Sequence, residues 1–217
     1  MPNRIYEATW GRAFAALYDR SLKATEQAGL RRMRVELLGG ASGRTLELGA
    51  GTGVNLDLYP GAVGDLVLAE PDPHMAKRLR ARAAELGRTV EVLEAPAEQL
   101  PLADHSFDTV VGTLVLCTVP DPEAALAEAA RILRPGGRFL FIEHVRAEDA
   151  SLARWQDRLE KPWRFLGDGC HCNRDTVATI EASPLALESV ERGRLPKAPP
   201  IVKPLIRGSA TLAPGQS

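Results

Sequence analysis

This chain of 217 residues has few cysteines, almost no net charge and few long apolar runs. No apolar run approaches the length of about 18 residues that marks a membrane-spanning helix. The opening residues carry charges throughout, so no stretch is typical of a secretory signal peptide. We therefore expect neither a leader nor a transmembrane segment, while peripheral contact with a membrane surface stays open.

The three cysteines, Cys117, Cys170 and Cys172, are odd in number and show no repeated pair spacing. This pattern argues against a disulfide framework and against a four-thiolate zinc site, and it favours a reducing, cytoplasmic setting. The 27 basic and 28 acidic residues leave a net charge of −1. A polyanionic partner such as nucleic acid is not expected from that balance.

A chain of this length with 45% hydrophobic residues can bury one sizeable core. Near its start, Trp10, Phe14, Leu17 and Tyr18 recur at helical spacing. We predict an N-terminal helical cap over residues 1–40 and a single globular unit over residues 41–217, as a monomer or a homodimer. The aromatic stripe either covers the edge of the core, touches lipid, or forms an acceptor lid with Trp155, Trp163 and Phe165.

Between residues 44 and 145, short apolar runs alternate with helical segments, which is the signature of βαβ units around a parallel sheet. After Val145 the less regular tail is expected to add two antiparallel strands. Asp121 and Pro122 mark a helix start, and residues 134–137 (Arg-Pro-Gly-Gly) mark a helix end and a turn. The predicted strands are 45–48, 66–70, 90–93, 109–117 and 138–143, and the clearest helices are 73–86 and 122–133.

A glycine-rich loop, residues 47–53 (Glu-Leu-Gly-Ala-Gly-Thr-Gly), follows the first predicted strand. Glycine lets the backbone turn sharply and approach a ligand closely, although an ordinary strand-to-helix turn is the alternative. Val54 stands where a dinucleotide fingerprint needs glycine, which disfavours NAD. Glu70 ends the next strand at the same sheet edge, where its carboxylate can accept both hydroxyls of a ribose or simply be solvated.

Residues 44–145 resemble the class I S-adenosylmethionine-dependent methyltransferases. Besides the loop, the resemblance is carried by residues 97–101 (Ala-Glu-Gln-Leu-Pro), 106–108 (Ser-Phe-Asp) and 133–138 (Leu-Arg-Pro-Gly-Gly-Arg). It implies an α/β fold, namely a Rossmann-like seven-stranded, mostly parallel sheet with helices on both faces, and S-adenosylmethionine as the cofactor.

By this resemblance, the loop from Gly49 to Gly53 holds the methionine part of the cofactor and Glu70 holds its ribose. The adenine is expected to contact Met75, Ala97 and Glu98. The family often has an aspartate where Pro96 stands here, and Glu98 is expected to supply the side-chain contact to the adenine amino group in its place. The full set of predicted cofactor-binding residues is Glu47, Gly49, Ala50, Gly51, Gly53, Asn55, Glu70, Pro71, Met75, Ala97, Glu98 and Leu114.

Within the superfamily, the chain is similar to the methyltransferase-like family 7, whose members methylate alkyl thiols. The similarity is carried by residues 53–60, 113–117, 143–145 and 168–170. Two features depart from the usual pattern: residues 171–173 (His-Cys-Asn) differ from it, and the hydrophobic membrane segment of animal members does not occur in this sequence. The implied acceptor is a small lipophilic thiol, in detoxification or in capping a natural product. The alternatives are N- or C-methylation of a phospholipid amine or quinone-like ring, and a catalytically silent scaffold.

His144 is the leading candidate for a catalytic base because it follows Glu143 at the end of a strand. A neutral imidazole with a pKa of about 6.5 can accept a proton from a thiol of pKa about 8.5, although the histidine can instead bond to backbone there. Asp168 and His171, in a loop expected to shape the acceptor pocket, are the other catalytic candidates. A metal site is not expected, because neighbouring residues of that loop cannot easily share one ion.

Overall fold

The computed structural model describes residue 20 and residues 22–213. Within these residues, seven strands form one sheet, and a π-helical turn (Glu26–Leu30) and a 3-10 turn (Pro200–Val202) accompany the helices. The strands are β1 (Gly43–Leu48), β2 (Val63–Ala69), β3 (Glu91–Leu93), β4 (Phe107–Thr113), β5 (Leu133–His144), β6 (Leu185–Arg194) and β7 (Pro204–Leu212). The helices are α1 (Arg31–Leu38), α2 (Pro73–Glu85), α3 (Pro122–Ile132), α4 (Ala150–Leu166) and α5 (Thr176–Glu181).

The strand order is β3-β2-β1-β4-β5-β7-β6. The first five strands pair in parallel, and β7 pairs antiparallel with both β5 and β6. This confirms the predicted mostly parallel sheet. The tail adds the two expected strands, which are antiparallel to each other, and only β7 runs against β1–β5, because β5 and β6 both pair antiparallel with it. The order of the strands reverses between β1 and β4, and open α/β sheets bind ligands at the carboxyl ends of the strands beside such a reversal.

The two faces of the sheet carry separate apolar clusters, as strand alternation requires. On β2, Leu66 and Leu68 pack with Leu38 of α1 and Leu79 of α2. The intervening residues of β2 pack on the other face with buried residues of α3, such as Leu126. Helices therefore cover both faces, as the resemblance implied, and each fully buried leucine contributes about 1.5–3 kcal/mol.

Part of the predicted N-terminal cap lies outside the described residues, including its stripe of Trp10, Phe14, Leu17 and Tyr18. The described part packs on the sheet, since Leu30 and Leu38 are both fully buried. Among the residues that the structure describes, none belongs to a helix long and apolar enough to cross a bilayer.

Both central helices begin at an aspartate. Asp72 accepts N–H bonds from His74 and Met75 at the start of α2. Asp121, which the sequence marked as a helix start, accepts one from Ala124 at the start of α3. In each helix proline occupies the first turn, where its missing N–H costs nothing.

The prediction that the strand of residues 109–117 runs through Cys117 is wrong, because β4 ends at Thr113. Leu114 has a left-handed backbone with φ of 62°, and the chain leaves the sheet there. The carboxylate of Glu143, at the end of β5, accepts backbone N–H bonds from Val115 and Leu116 at 2.9 and 2.8 Å and from Cys117 at 3.2 Å. These three donors are thereby satisfied outside the sheet, so the apolar run continues as a loop.

The turn predicted at residues 134–137 lies inside β5, which begins at Leu133 directly after α3. Pairing with β4 passes from Phe107 opposite Leu133 to Thr109 opposite Arg138. Residues 134–137 therefore form a bulge, with Gly136 at φ of 79°. The other predicted strands and helices are confirmed, with small shifts of their ends.

We predict that Glu143→Leu lowers the free energy of unfolding by about 3–5 kcal/mol, because three buried N–H groups lose a charged acceptor. Glu143→Gln keeps one oxygen acceptor and is expected to lose less. Denaturant unfolding followed by circular dichroism measures both. The matched control is Glu85→Leu, at the exposed end of α2, which should change stability by no more than about 0.5 kcal/mol. Equal losses for positions 85 and 143 would contradict the prediction.

Candidate active site

The loop after β1 adopts the conformation that its glycines permit. Gly49, Gly51 and Gly53 have φ of 56°, 57° and 82°, in the left-handed region that other residues rarely adopt. A Cβ at Gly53 would lie 2.7 Å from side-chain carbons of Leu56 and Leu79, and a Cβ at Gly49 would collide with the side chain of Val115. The side chains of Leu56, Leu79 and Val115 therefore pack against the loop. The backbone of its turns lies at the carboxyl edge of the sheet.

Glu70 lies at the same edge, directly after β2, and bonds to the glycine loop. Its Oε2 accepts the N–H of Gly51 at 2.8 Å and its Oε1 accepts the N–H of Asp72 at 2.9 Å. Burial raises the pKa of Glu70 to about 7; the two N–H bonds oppose the rise, and the charges of Asp72 and Asp168 add to it. Each carboxylate oxygen keeps a further lone pair, so the group can still accept the two hydroxyls of a ribose.

Beneath the loop lies a buried polar group centred on Arg34, whose side chain on α1 is almost fully enclosed. Its Nη1 donates to Asn55 Oδ1 at 3.1 Å and to Thr113 Oγ1 at 2.7 Å, and its Nε donates to Glu26 at 3.0 Å. A buried guanidinium needs such partners. No pattern in the sequence indicated this role, because Arg34 stands in a segment rich in other arginines.

Glu47 and Asn55, both predicted to bind the cofactor, belong to this buried group. Glu47 accepts bonds from Asn55 Nδ2 and from the Tyr59 hydroxyl, each at 2.7 Å. Burial raises the pKa of Glu47, and Tyr59, Asn55 and Arg34 oppose the rise. The side chains of Glu47 and Asn55 thus bond to the protein interior below the loop.

The remaining predicted cofactor residues border the same edge. Ala50 donates its N–H to the carbonyl of Ala69, the last residue of β2, and so holds the loop against that strand. Glu98 Oε1 accepts the N–H of Asp121 at 3.2 Å, which ties its segment to the start of α3. Of the others, Met75 and Ala97 are buried, Leu114 is partly buried and Pro71 is exposed.

His144 ends β5 and contacts two cysteines from other segments. Its Nδ1 lies 3.8 Å from Cys117 Sγ and 3.6 Å from Cys170 Sγ, and all three side chains are buried. We call Cys117, His144 and Cys170 the thiol–imidazole cluster. The other ring nitrogen, Nε2, is buried without a hydrogen-bond partner among the described residues. Sequence reasoning did not group these three residues, since they lie far apart in the chain.

The loop of Cys170 is fastened to the loop of Cys117. The backbone N–H of His171 donates to the carbonyl of Cys117 at 2.7 Å, and Arg174 Nη1 donates to the carbonyls of Leu116 and Val119 at 2.5 and 2.7 Å. These bonds explain why the two cysteines meet. Arg174 was not singled out by the sequence, although it stands only four residues after Cys170.

The other two catalytic candidates lie in the loop of Cys170. Asp168 has a left-handed backbone with φ of 49°, and burial, with the charge of Asp72, raises its pKa. His171 Nδ1 lies 3.0 Å from the carboxylate of Glu160 on α4, and burial lowers the pKa of this histidine. Of the predicted lid aromatics described, Trp155 and Phe165 are exposed, whereas Trp163 packs partly buried against a cluster that includes Ile142.

Comparison with known proteins agrees with this geometry. A family model described as a methyltransferase domain matches residues 46–141. The human thiol S-methyltransferase TMT1B is 40% identical over 188 residues, which cover 82% of this chain and 75% of the relative. A phosphatidylethanolamine N-methyltransferase from Cereibacter sphaeroides is 31% identical over 154 residues, covering 70% and 75% of the two chains.

Among solved structures, a SAM-dependent methyltransferase from Thermotoga maritima aligns with a TM-score of 0.68 at 25% identity, covering 93% of this chain and 97% of that one. The glycine loop and the free lone pairs of Glu70 fit such a cofactor. The chain is therefore an S-adenosylmethionine-dependent methyltransferase and belongs to the family of the thiol S-methyltransferase TMT1B.

Proposed function

We propose that this enzyme methylates the sulfur of a small lipophilic thiol. The observation that carries the proposal is the position of the thiol–imidazole cluster. Val115, two residues before Cys117, fills the space beside Gly49, so the loop of the cluster packs directly on the glycine loop. An acceptor sulfur beside His144 would thus lie next to the methionine end of the cofactor. The resemblance to TMT1B, a thiol S-methyltransferase, supports the same acceptor.

S-adenosylmethionine, when bound, supplies a methyl group that its sulfonium has already activated. We propose that the backbone from Gly49 to Gly53 holds its methionine part and that Glu70 accepts its ribose hydroxyls. Met75, Ala97 and Glu98, with Pro71 and Leu114, would border its adenine and outer surface. Glu47 and Asn55 support the loop from below through Arg34, and Ala50 holds it to β2.

The protein's contribution to such a reaction is alignment and the exclusion of water. Aligning donor and acceptor within one site can lower the barrier by up to about 7–11 kcal/mol. A thiol needs little further help, because a few per cent of an ordinary thiol is ionised near neutral pH. We propose that His144 promotes this ionisation, and that Asp168 and His171 shape the loop that holds Cys170.

An amine acceptor is the second candidate, and the Cereibacter sphaeroides relative supports it. Asp168 lies close enough to Asp72 and Glu70 for their charges to interact, and such a group could bind a cation. Glu143, in contrast, already accepts three backbone bonds. We favour the thiol, since the side chains that meet around His144 are thiols rather than carboxylates. All three cysteines are free, which supports a reducing, cytoplasmic location.

Glu70→Gln is expected to weaken binding of S-adenosylhomocysteine by about 1–3 kcal/mol, because an amide replaces the charged acceptor of two hydroxyls. Isothermal titration calorimetry measures the change. Glu85→Gln, at the exposed end of α2, serves as the control and should bind as the wild type does. An unchanged dissociation constant for Glu70→Gln would place the ribose elsewhere.

Cofactor affinity is also expected to depend on pH through Glu70. Its pKa in the free protein is about 7, and the ionised form is the better acceptor of hydroxyl donors. The dissociation constant for S-adenosylhomocysteine should therefore stay constant above that pH and rise as pH falls through it, by up to about tenfold per unit. Calorimetry between about pH 5.5 and 8.5, a range of about three units around the pKa, tests this pH dependence of the dissociation constant. Glu70→Gln should abolish the dependence, and a wild type with a flat profile would refute it.

The acceptor is tested by comparing rates with an alkyl thiol, a phosphatidylethanolamine dispersion and a demethylated quinone. We expect the thiol to react fastest, and His144→Ala to lower that rate by about 10–30-fold at neutral pH, because only a few per cent of the thiol ionises without help. His74→Ala, on α2, is the matched control and should leave the rate unchanged. Faster turnover of the amine or of the ring carbon would overturn the thiol assignment.

A further inference from the structure

We propose that Cys117, Cys170 and His144 bind a zinc ion, and that the acceptor thiol reacts as the fourth ligand of this ion. The inference rests on the proposed thiol methylation and specifies how His144 promotes ionisation of the acceptor. The ligands would be the two Sγ atoms and Nδ1 of the histidine.

The geometry of the thiol–imidazole cluster fits a tetrahedral ion. With Zn–S bonds of about 2.3 Å and a Zn–N bond of about 2.0–2.1 Å, a tetrahedral set has S···N separations of about 3.5–3.6 Å and an S···S separation of about 3.8 Å. Here Nδ1 lies 3.6 Å from Cys170 Sγ and 3.8 Å from Cys117 Sγ. All three ligand atoms lie within 4.8 Å of one another.

Both cysteine ligands are held in place by bonds to their backbone. The N–H of Cys117 donates to Glu143, and its carbonyl accepts the N–H of His171. The N–H of Cys170 donates to the carbonyl of Gly167 at 3.1 Å. Arg174 fixes the same loop through the carbonyls of Leu116 and Val119. Metal sites need ligands that are oriented by such surrounding bonds.

Charge and burial also favour an ion over a pair of free thiols. Cys117, His144 and Cys170 are all buried, so the three ligand atoms are enclosed by protein. Two thiolates and one divalent zinc ion sum to zero charge, which an enclosed site accommodates. Three protein ligands with a fourth position for substrate are the arrangement of catalytic zinc, whereas structural sites have four protein ligands.

The reaction then balances without a protein base. The acceptor thiol binds the ion as a thiolate and releases its proton to water. A lone pair of the acceptor sulfur attacks the methyl carbon of S-adenosylmethionine. The new carbon–sulfur bond forms as the methyl–sulfonium bond breaks, and that electron pair stays on the departing sulfur of S-adenosylhomocysteine. The neutral thioether product is a weaker ligand than the thiolate and leaves.

The metal content of the untagged enzyme, purified without added metal and measured by inductively coupled plasma mass spectrometry, tests the site directly. We expect about one zinc per chain in the wild type and near zero in Cys170→Ala and His144→Ala. Cys172→Ala is the matched control, because Cys172 is equally buried but lies outside the ligand set. Calorimetry with S-adenosylhomocysteine verifies that each variant is folded. Replacement by cobalt should give thiolate-to-metal charge-transfer absorption that Cys170→Ala removes.

The role of the ion is tested with the wild type after chelation. Removal of zinc should lower thiol methylation by at least about tenfold, and added zinc should restore it. A metal-free enzyme that methylates the thiol at the full rate overturns the zinc inference and leaves the proposed function standing. An enzyme that holds zinc through these residues but methylates only the amine or the ring carbon overturns the proposed function and, with it, the acceptor's place on the ion.

Discussion

A single buried carboxylate, that of Glu143, determines how the active-site edge is built. Three successive N–H groups after β4 bind it, which ends the strand at Thr113 and turns the following residues across the edge of the sheet. Burial of an anion is costly unless its lone pairs are used, and these donors use them. Because the loop is fixed here, Val115 lies against Gly49 and Cys117 lies beside His144. The cofactor loop and the cluster thereby become one site.

A second buried group holds the opposite side of the glycine loop. Arg34 of α1 donates hydrogen bonds to Asn55 and Thr113, and Asn55 in turn donates one to Glu47 near the end of β1. The positive guanidinium lies beneath a loop whose outer side bonds to the carboxylate of Glu70. The loop is thus held between two polar anchors that come from different parts of the chain. Glycine adopts the left-handed turns of this loop without steric cost, and the bonds on both sides hold the loop in that conformation.

Local patterns in the sequence were enough to predict the strands of the sheet, helices α2 and α3, the glycine loop and the position of Glu70, because each depends on residues close together in the chain. The end of β4 could not be predicted in this way, since Val115, Leu116 and Cys117 continue an apolar run and the group that stops it is Glu143. The same reason hid the partners of Cys117. Arg34 was missed because nothing in a run of arginines shows which one is buried. The identity of the acceptor depends on the shape of a pocket, which no spacing of residues encodes.

The packing of Val115 against Gly49 limits how this protein can vary over evolution. Any residue larger than glycine at position 49 would collide with the side chain at position 115, and the left-handed backbone adds a further cost. A larger residue at position 49 is therefore tolerated only together with a smaller side chain at position 115. The two positions are more than sixty residues apart in the sequence, about half the length of a typical domain, and yet they should change together. Substitutions in the loop that carries Val115 are therefore limited by the loop that binds the cofactor.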